Sequence, residues 1–203
     1  REQTAFRALM GFGAETDAIA IATGGSPAEQ VRVQYVSGNF FQAVRVNPIV
    51  GRILLPDDDA RASGNAVVVL SDKGWDRHFH RDPNVLGRTI LVNGVPFEII
   101  GVTAAGFHGL EVGGPDLWAP LSQLGQFRPA DRGHEDAAGV EIVGRLRPGV
   151  SKDNARAQLA AWDSNQSADT PDRRSTTIDL LPRRGTVPQP LEAIAVFAPL
   201  FVA

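Results

Sequence analysis

The chain contains no cysteine among its 203 residues. That absence excludes disulfides, iron–sulfur clusters and thiolate zinc sites, and it is compatible with cytosol and bacterial periplasm alike. Charge of one sign is also lacking: 20 basic and 23 acidic side chains leave a formal net charge of -3. A balance so close to zero, spread evenly along the chain, argues against nucleic acid or a membrane surface as a partner. No internal run approaches the roughly 18–20 apolar residues that cross a bilayer. Arg1-Glu2-Gln3-Thr4 leads into a mixed segment with none of the continuous apolar stretch of a secretory leader. The phosphate-binding pattern G-x-x-x-x-G-K-[ST] does not occur, and Gly109 to Gly114 lacks the preceding strand and following helix of a dinucleotide fingerprint, so nucleotide binding is not expected.

What is present is a globular composition, 43% hydrophobic, long enough for one domain or two small ones. Ala18 to Thr23 and Glu29 to Val36 flank the turn Gly24-Gly25-Ser26-Pro27 and read as a strand pair. A short helix from about Asn39 places Phe40, Phe41 and Val44 on one side and breaks near Asn47-Pro48. Val67 to Leu70 is a β-branched run suited to a buried strand. Ser71 then caps a helix carrying Trp75 and Phe79 four residues apart. Two strands close on Asn93-Gly94, the dipeptide that best accepts the positive φ angles of a tight hairpin. Val140 to Leu146 reads as a strand, and Pro148-Gly149 as a turn. Ser151 caps a helix with Ala155, Leu159 and Trp162 on one face. Ile178 to Leu181 is a candidate last strand. Pro56 to Asn65 and Arg128 to Ala138 are polar connections that bracket the block between them.

Each candidate for chemistry has a plainer reading beside it. Gly24-Gly25-Ser26-Pro27-Ala28 imitates the nucleophile elbow G-x-S-x-G, but Ala28 replaces the last glycine and strand follows where helix is required. A hairpin loop accounts for it better. A hydrolase built on Ser26 would need His108 held by Glu111 or Asp116. His78 and His80 are spaced by two, which points to opposite sides of a helix rather than to a metal pair. Asp57-Asp58-Asp59 lacks the glycine and glutamate of a calcium loop and reads as a solvated turn. Phe107, Leu110, Leu117 and Trp118 read as core. No catalytic, cofactor-binding or metal-ligating residue is assigned from these patterns.

The succession of pieces is more telling than any one of them. VVVL, SDKGWDRHF, GRTILVNGVPFEIIGV and GFHGLEVGGPDLWAPL follow one another between Val67 and Leu121. They are preceded by VRVQYVSGNFFQAVRVNPIVGRILLPDDD over Val31 to Asp59 and followed by VEIVGRLRPGVSKDNARAQL over Val140 to Leu159. In this order they resemble the periplasmic core domain of MacB-type, FtsX-like ABC transporter permeases, closest to the duplicated orphan permeases of acidobacterial type. The resemblance implies an α+β fold in which a porter-like βαβ subdomain, built from both ends of the chain (1–56 and 138–188), carries an inserted, smaller β-rich subdomain (57–137).

It further implies a non-enzymatic extracytoplasmic domain of an inner-membrane permease that passes ATP-driven motion to the export of a macrolide, peptide, lipid or lipoprotein. The partners it implies are a second permease unit or half, a cytoplasmic ATPase subunit reached through the membrane helices, and a periplasmic adaptor; no cofactor is implied. LEAIAVFAPLFVA, from Leu191 to Ala203, reads as a packed terminal helix or as the opening turns of a transmembrane helix, and the resemblance favours the second. A secreted serine hydrolase and a plain ligand-binding or adhesion module are the alternatives.

Overall fold

The computed structural model describes residues 5–13, 17–23, 28–60, 66–92, 94–110, 113–124, 139–168 and 180–181. In chain order the elements are β1 (Phe6–Gly13), β2 (Asp17–Thr23), β3 (Glu29–Val36), α1 (Phe40–Val44), β4 (Pro48–Gly51) and a 3-10 turn (Pro56–Asp59). They continue with β5 (Val67–Leu70), α2 (Asp72–Phe79), β6 (Thr89–Val92), β7 (Val95–Thr103), β8 (Leu117–Pro120), a 3-10 turn (Leu121–Gln123), β9 (Val140–Leu146) and α3 (Lys152–Ala168). The fold is α+β and dominated by strands.

Contacts divide the chain into two compact units, residues 1–9 with 143–184 and residues 10–142 with 185–203. The second unit contains a closed ring of strands: β2 pairs with β6, β6 with β7, β7 with β5, β5 with β8, β8 with β3, and β3 again with β2. The β5–β7 and β3–β8 pairs are parallel and the other four antiparallel. Closure leaves no open edge in the ring, and a barrel of this size is filled by its own side chains. The alternation of strand residues supplies them: Ile19 and Ile21, Val31, Val33 and Tyr35, Val68 and Leu70, Ile90 and Val92, Phe97 and Ile99, Leu117 and Ala119 form one buried cluster.

On β7 the inward set moves from Phe97 and Ile99 to Val102. The ladder to β5 explains it: Val68 pairs with Ile99 but Val69 with Gly101, so Ile100 is an extra residue. Gly101 is required at this kink, because a Cβ there would lie 2.0 Å from the carbonyl oxygen of Arg52. Phe79 of α2 and Val85 complete the cluster.

The strand pair expected around Gly24 to Pro27 is the antiparallel β2–β3 ladder, although the turn itself lies outside the described residues. The hairpin is present as well: Val92 faces Val95 and Gly94 has φ +78°. β5 is buried at all four positions because both its faces are covered, which is why it reads as a continuous apolar run. The barrel draws β2 and β3 from before Pro56, and the compact units part at Leu9/Met10 and Ile142/Val143. Residues 61–65 and 125–138, which take in most of the two polar connections, lie outside the described residues.

In the first unit β1 and β9 are neighbours, and the Arg147 N–H donates to the Ala5 carbonyl at 3.0 Å. Its cluster holds Ala5, Phe6 and Ala155, with Leu9, Leu146, Val150, Leu159 and Leu180 partly buried against them. The Ser151 hydroxyl accepts from the Asn154 N–H at 3.2 Å, as its position before α3 predicts. Trp162, expected on the buried face, is 38% exposed. Leu180 and Leu181 are not in a strand, and Ile178 lies outside the described residues. No helix among the described residues is long and apolar enough to cross a membrane; Leu191 to Ala203 are outside them.

Candidate functional site

Two buried carboxylates organise the polar chemistry of the barrel unit. The first is Asp116, in the turn before β8, 2% exposed. Its Oδ2 accepts from the backbone N–H of Arg32 at 2.9 Å, and its Oδ1 from the Arg77 guanidinium at 2.8 Å. Its own N–H donates to the Arg32 carbonyl at 2.8 Å, and its carbonyl receives the Ser71 N–H at 2.9 Å and the Ser71 hydroxyl at 3.1 Å. Ser71 in turn accepts from the Gly74 N–H at 2.9 Å, so one serine caps α2 and ties it to Asp116. α2 lies so close that a Cβ on Gly74 would be 2.1 Å from the Asp116 carbonyl oxygen. His78, also on α2, has Nδ1 2.9 Å from Glu29 and Nε2 3.6 Å from Asp116. The node thus clamps α2 to β3 and β8 through nearly every hydrogen-bonding group one aspartate possesses.

The second is Asp58, in the 3-10 turn, expected to be solvated and in fact 5% exposed. The Arg52 guanidinium donates to both of its oxygens, at 2.6 and 2.9 Å, and the Leu55 N–H donates to Oδ2 at 2.8 Å. Burial alone would raise its pKa; the hydrogen bonds from Arg52 and Leu55 and the charge of Arg52 outweigh it and hold the carboxyl below its ordinary range. Next to it, Asp59 accepts from the Gly38 N–H at 3.1 Å and the Ser122 N–H at 2.8 Å. The run Ser37-Gly38-Asn39-Phe40-Phe41 and the acidic turn are therefore two halves of one knot. Gly38 is seated where a Cβ would be 2.4 Å from the Leu55 carbonyl oxygen. A count of charges could not reveal this, because the partner lies some twenty residues away.

Between the knots the outer face of the barrel carries aromatics. Phe107 stacks on Trp118 at 5.3 Å between centroids, Phe41 meets Trp118 edge-on at 5.4 Å, and Phe40 meets Phe41 edge-on at 5.4 Å. The Trp118 indole N–H donates to Gln34 at 3.2 Å. Phe40, Phe41 and Val44 are all buried, as the helical spacing of α1 predicts, and Phe107, Leu117 and Trp118 are core residues. Leu110 is partly buried.

The remaining candidates are not brought together. Ser26 and Glu111 lie outside the described residues. Both oxygens of Asp116 are engaged by Arg32 and Arg77. His108 packs against Gly114, and burial, with a smaller contribution from the charge of Lys73, lowers its pKa below the ordinary histidine value. His80 ends α2 in the left-handed conformation, φ 50°, while His78 faces the Asp116 node. Among the described residues no three His, Asp or Glu side chains are placed to hold a metal ion.

The profile of the MacB-like periplasmic core domain matches residues 3–162. Two curated relatives come from Pseudomonas entomophila. The pyoverdine export ATP-binding/permease protein PvdT is 37% identical over 35% of this chain and 11% of its own length. The probable export ATP-binding/permease protein MacB is 35% identical over 55% of this chain and 16% of its own. The chain therefore spans a small fraction of the length of these relatives. Among solved structures, the periplasmic region of MacB from Actinobacillus actinomycetemcomitans superposes with a TM-score of 0.58 at 19% identity, covering 82% of this chain and 70% of that one. A domain of a putative permease from Porphyromonas gingivalis gives 0.62 at 15% identity, covering 97% and 81%. The extracellular domain of the ABC-type transporter YknZ from Gram-positive bacteria gives 0.55 at 12%, covering 82% and 79%. These likenesses share the fold described above, and the family match takes in strands and helices of both compact units: the chain belongs to the MacB-like periplasmic core domain family.

Proposed function

We propose that this chain is the extracytoplasmic part of an ABC-type export permease and that its work is mechanical rather than catalytic. The observation that carries this reading is the family match over residues 3–162, joined to a site chemistry spent on holding elements together. Asp116 and Asp58 are saturated by protein donors, and the two knots fasten α2, α1 and the 3-10 turn to a closed barrel. A domain that passes on motion needs such stiffness, because loosely held elements would dissipate it. In this reading residues 1–56 and 138–188 form a porter-like subdomain, residues 57–137 the inserted, smaller β-rich one, and Leu191 to Ala203 begin a membrane helix. ATP is hydrolysed by a cytoplasmic partner. A second permease unit completes the assembly and a periplasmic adaptor joins it. The cargo is a macrolide, peptide, lipid or lipoprotein.

The full-length protein, with any cysteine outside these 203 residues replaced by serine, tests this directly, because the 203 residues themselves contain none. Asn84→Cys, at an exposed loop position, should react in intact spheroplasts with a membrane-impermeant maleimide. Reaction only after lysis would overturn the placement. Calorimetry on the 203-residue chain should show no ATP binding, and micromolar binding would count against a domain without nucleotide chemistry.

A further inference from the structure

Between α2 and β6 the chain is fastened at its first end by a strained piece of backbone. Among the described residues only Arg45, His80 and Arg81 take positive φ without being glycine, and the last two do so in succession, at 50° and 55°. One left-handed residue after a helix is common and is most often glycine; two in a row that carry side chains are strained. The Arg81 side chain holds them. Its Nε donates to Asp76 at 3.0 Å and its Nη2 to Asp72 at 2.9 Å, while the guanidinium lies 5.4 Å from the centroid of the Trp75 ring. The Trp75 indole N–H in turn donates to the Asp82 carbonyl at 3.0 Å.

This segment covers apolar surface. Val85 is 0% exposed and, like Phe79 of α2, belongs to the cluster formed by the inward side chains of the barrel. The far end is anchored differently from the near one. There the Gly87 N–H donates to the Ile99 carbonyl and the Ile99 N–H to the Arg88 carbonyl, both at 2.9 Å, so backbone bonds tie it to β7. Gly87 itself has φ +75° and open space where a Cβ would stand, which suits a pivot. At the near end the Arg81 and Asp76 side chains are 48% and 64% exposed, and ion pairs so open to water hold weakly. A buried stopper thus has a surface fastening.

We propose that residues 80–87 form a strap that seats Val85 in the apolar interior of the barrel, is fastened by Arg81, and swings open about Gly87 while the ring of strands stays folded. The strained pair His80–Arg81 favours opening, and the Arg81 guanidinium opposes it. This holds whatever part the chain plays in transport.

The 203 residues contain no cysteine, so thiol labelling of the folded chain reads the strap directly. Val85→Cys should react roughly tenfold or more faster than Val68→Cys, a β5 position of the same cluster that is also 0% exposed. Low urea should quicken the second and leave the first unchanged, because opening the strap exposes little surface and unfolding the ring exposes much. With Val85→Cys in place, Arg81→Gln should speed labelling roughly fivefold by removing the fastener. His80→Gly should slow it roughly threefold by relieving the left-handed strain. Amide exchange of the chain without a cysteine makes the same comparison, Arg81 and Asp82 against β5, and decides the matter should Val85→Cys fail to fold. Equal rates with equal urea response at the two places, or a strap indifferent to both Arg81→Gln and His80→Gly, would overturn the proposal.

Discussion

The barrel unit and the terminal unit are made of the same materials, strands with a helix laid against them, yet they bury their residues to different depths. In the barrel, closure gives every strand two neighbours, and Val33, Val68, Ile90, Val92, Phe97, Ile99 and Val102 reach zero exposure. In the terminal unit the cluster rests on Ala5, Phe6 and Ala155, and Leu9, Leu146, Val150 and Leu159 remain partly open. A ring protects its core from all sides, whereas a strand pair with one helix protects a single face. The difference implies that the barrel is the rigid body of the chain and that the terminal unit opens at lower cost.

The sharpest way to break that comparison is to hollow the barrel. Phe97→Ala should destabilise the chain by about 3–5 kcal/mol, read from the urea midpoint. A loss below about 1 kcal/mol would mean that the ring is not the main store of stability. Asp116→Ala comes next, at about 3 kcal/mol, because it strands the Arg32 N–H and the Arg77 guanidinium around a void. Asp116→Asn, which retains an acceptor, should cost less.

Asp58→Asn is expected to cost about 1–2 kcal/mol at neutral pH, since the turn keeps some hydrogen bonds but loses the bidentate ion pair. Its pH dependence has a definite sign. The folded carboxyl sits below its ordinary range, so its contribution is present above the unfolded value near 3.9 and disappears as the pH falls through the folded one. Asp58→Asn should therefore lose part of the acid-induced drop in stability seen for the unchanged chain. The smallest effect is expected in the terminal unit, where Trp162→Ala should change stability by about 0.5 kcal/mol or less. Hydrogen exchange sharpens the same contrast: amides of β7 should exchange only with global opening, and those of α3 through local opening as well.

The local devices were legible because each is written in neighbouring residues. Asn93-Gly94 declares a hairpin, Ser71 a helix cap, VVVL a strand covered on both faces, and Phe40, Phe41 and Val44 one side of a helix. β1 and β4 escaped notice: FRALMGFG has glycines in a mixed pattern, and PIVG is too short to show alternation. The site was less legible still. Asp58 lay in an acidic triplet that reads as solvent-facing, and its burial is decided by Arg52 and by the Gly38 turn packed against it. Asp116 was considered only as a partner for His108, whereas the folded chain gives it to Arg32 and Arg77, 84 and 39 residues away.

By itself the order of motifs determined the family and the α+β class, since that order survives changes in any one residue. Turns and caps followed for the same reason that they are local: their hydrogen bonds and φ angles involve only a few adjacent positions. The tertiary structure alone decided that β2 and β3 complete a ring with strands more than fifty residues further on, and that two aspartates become buried knots rather than surface charges. Strand pairing partners and the fate of a charge depend on what the rest of the chain brings alongside, and no window of sequence contains that information.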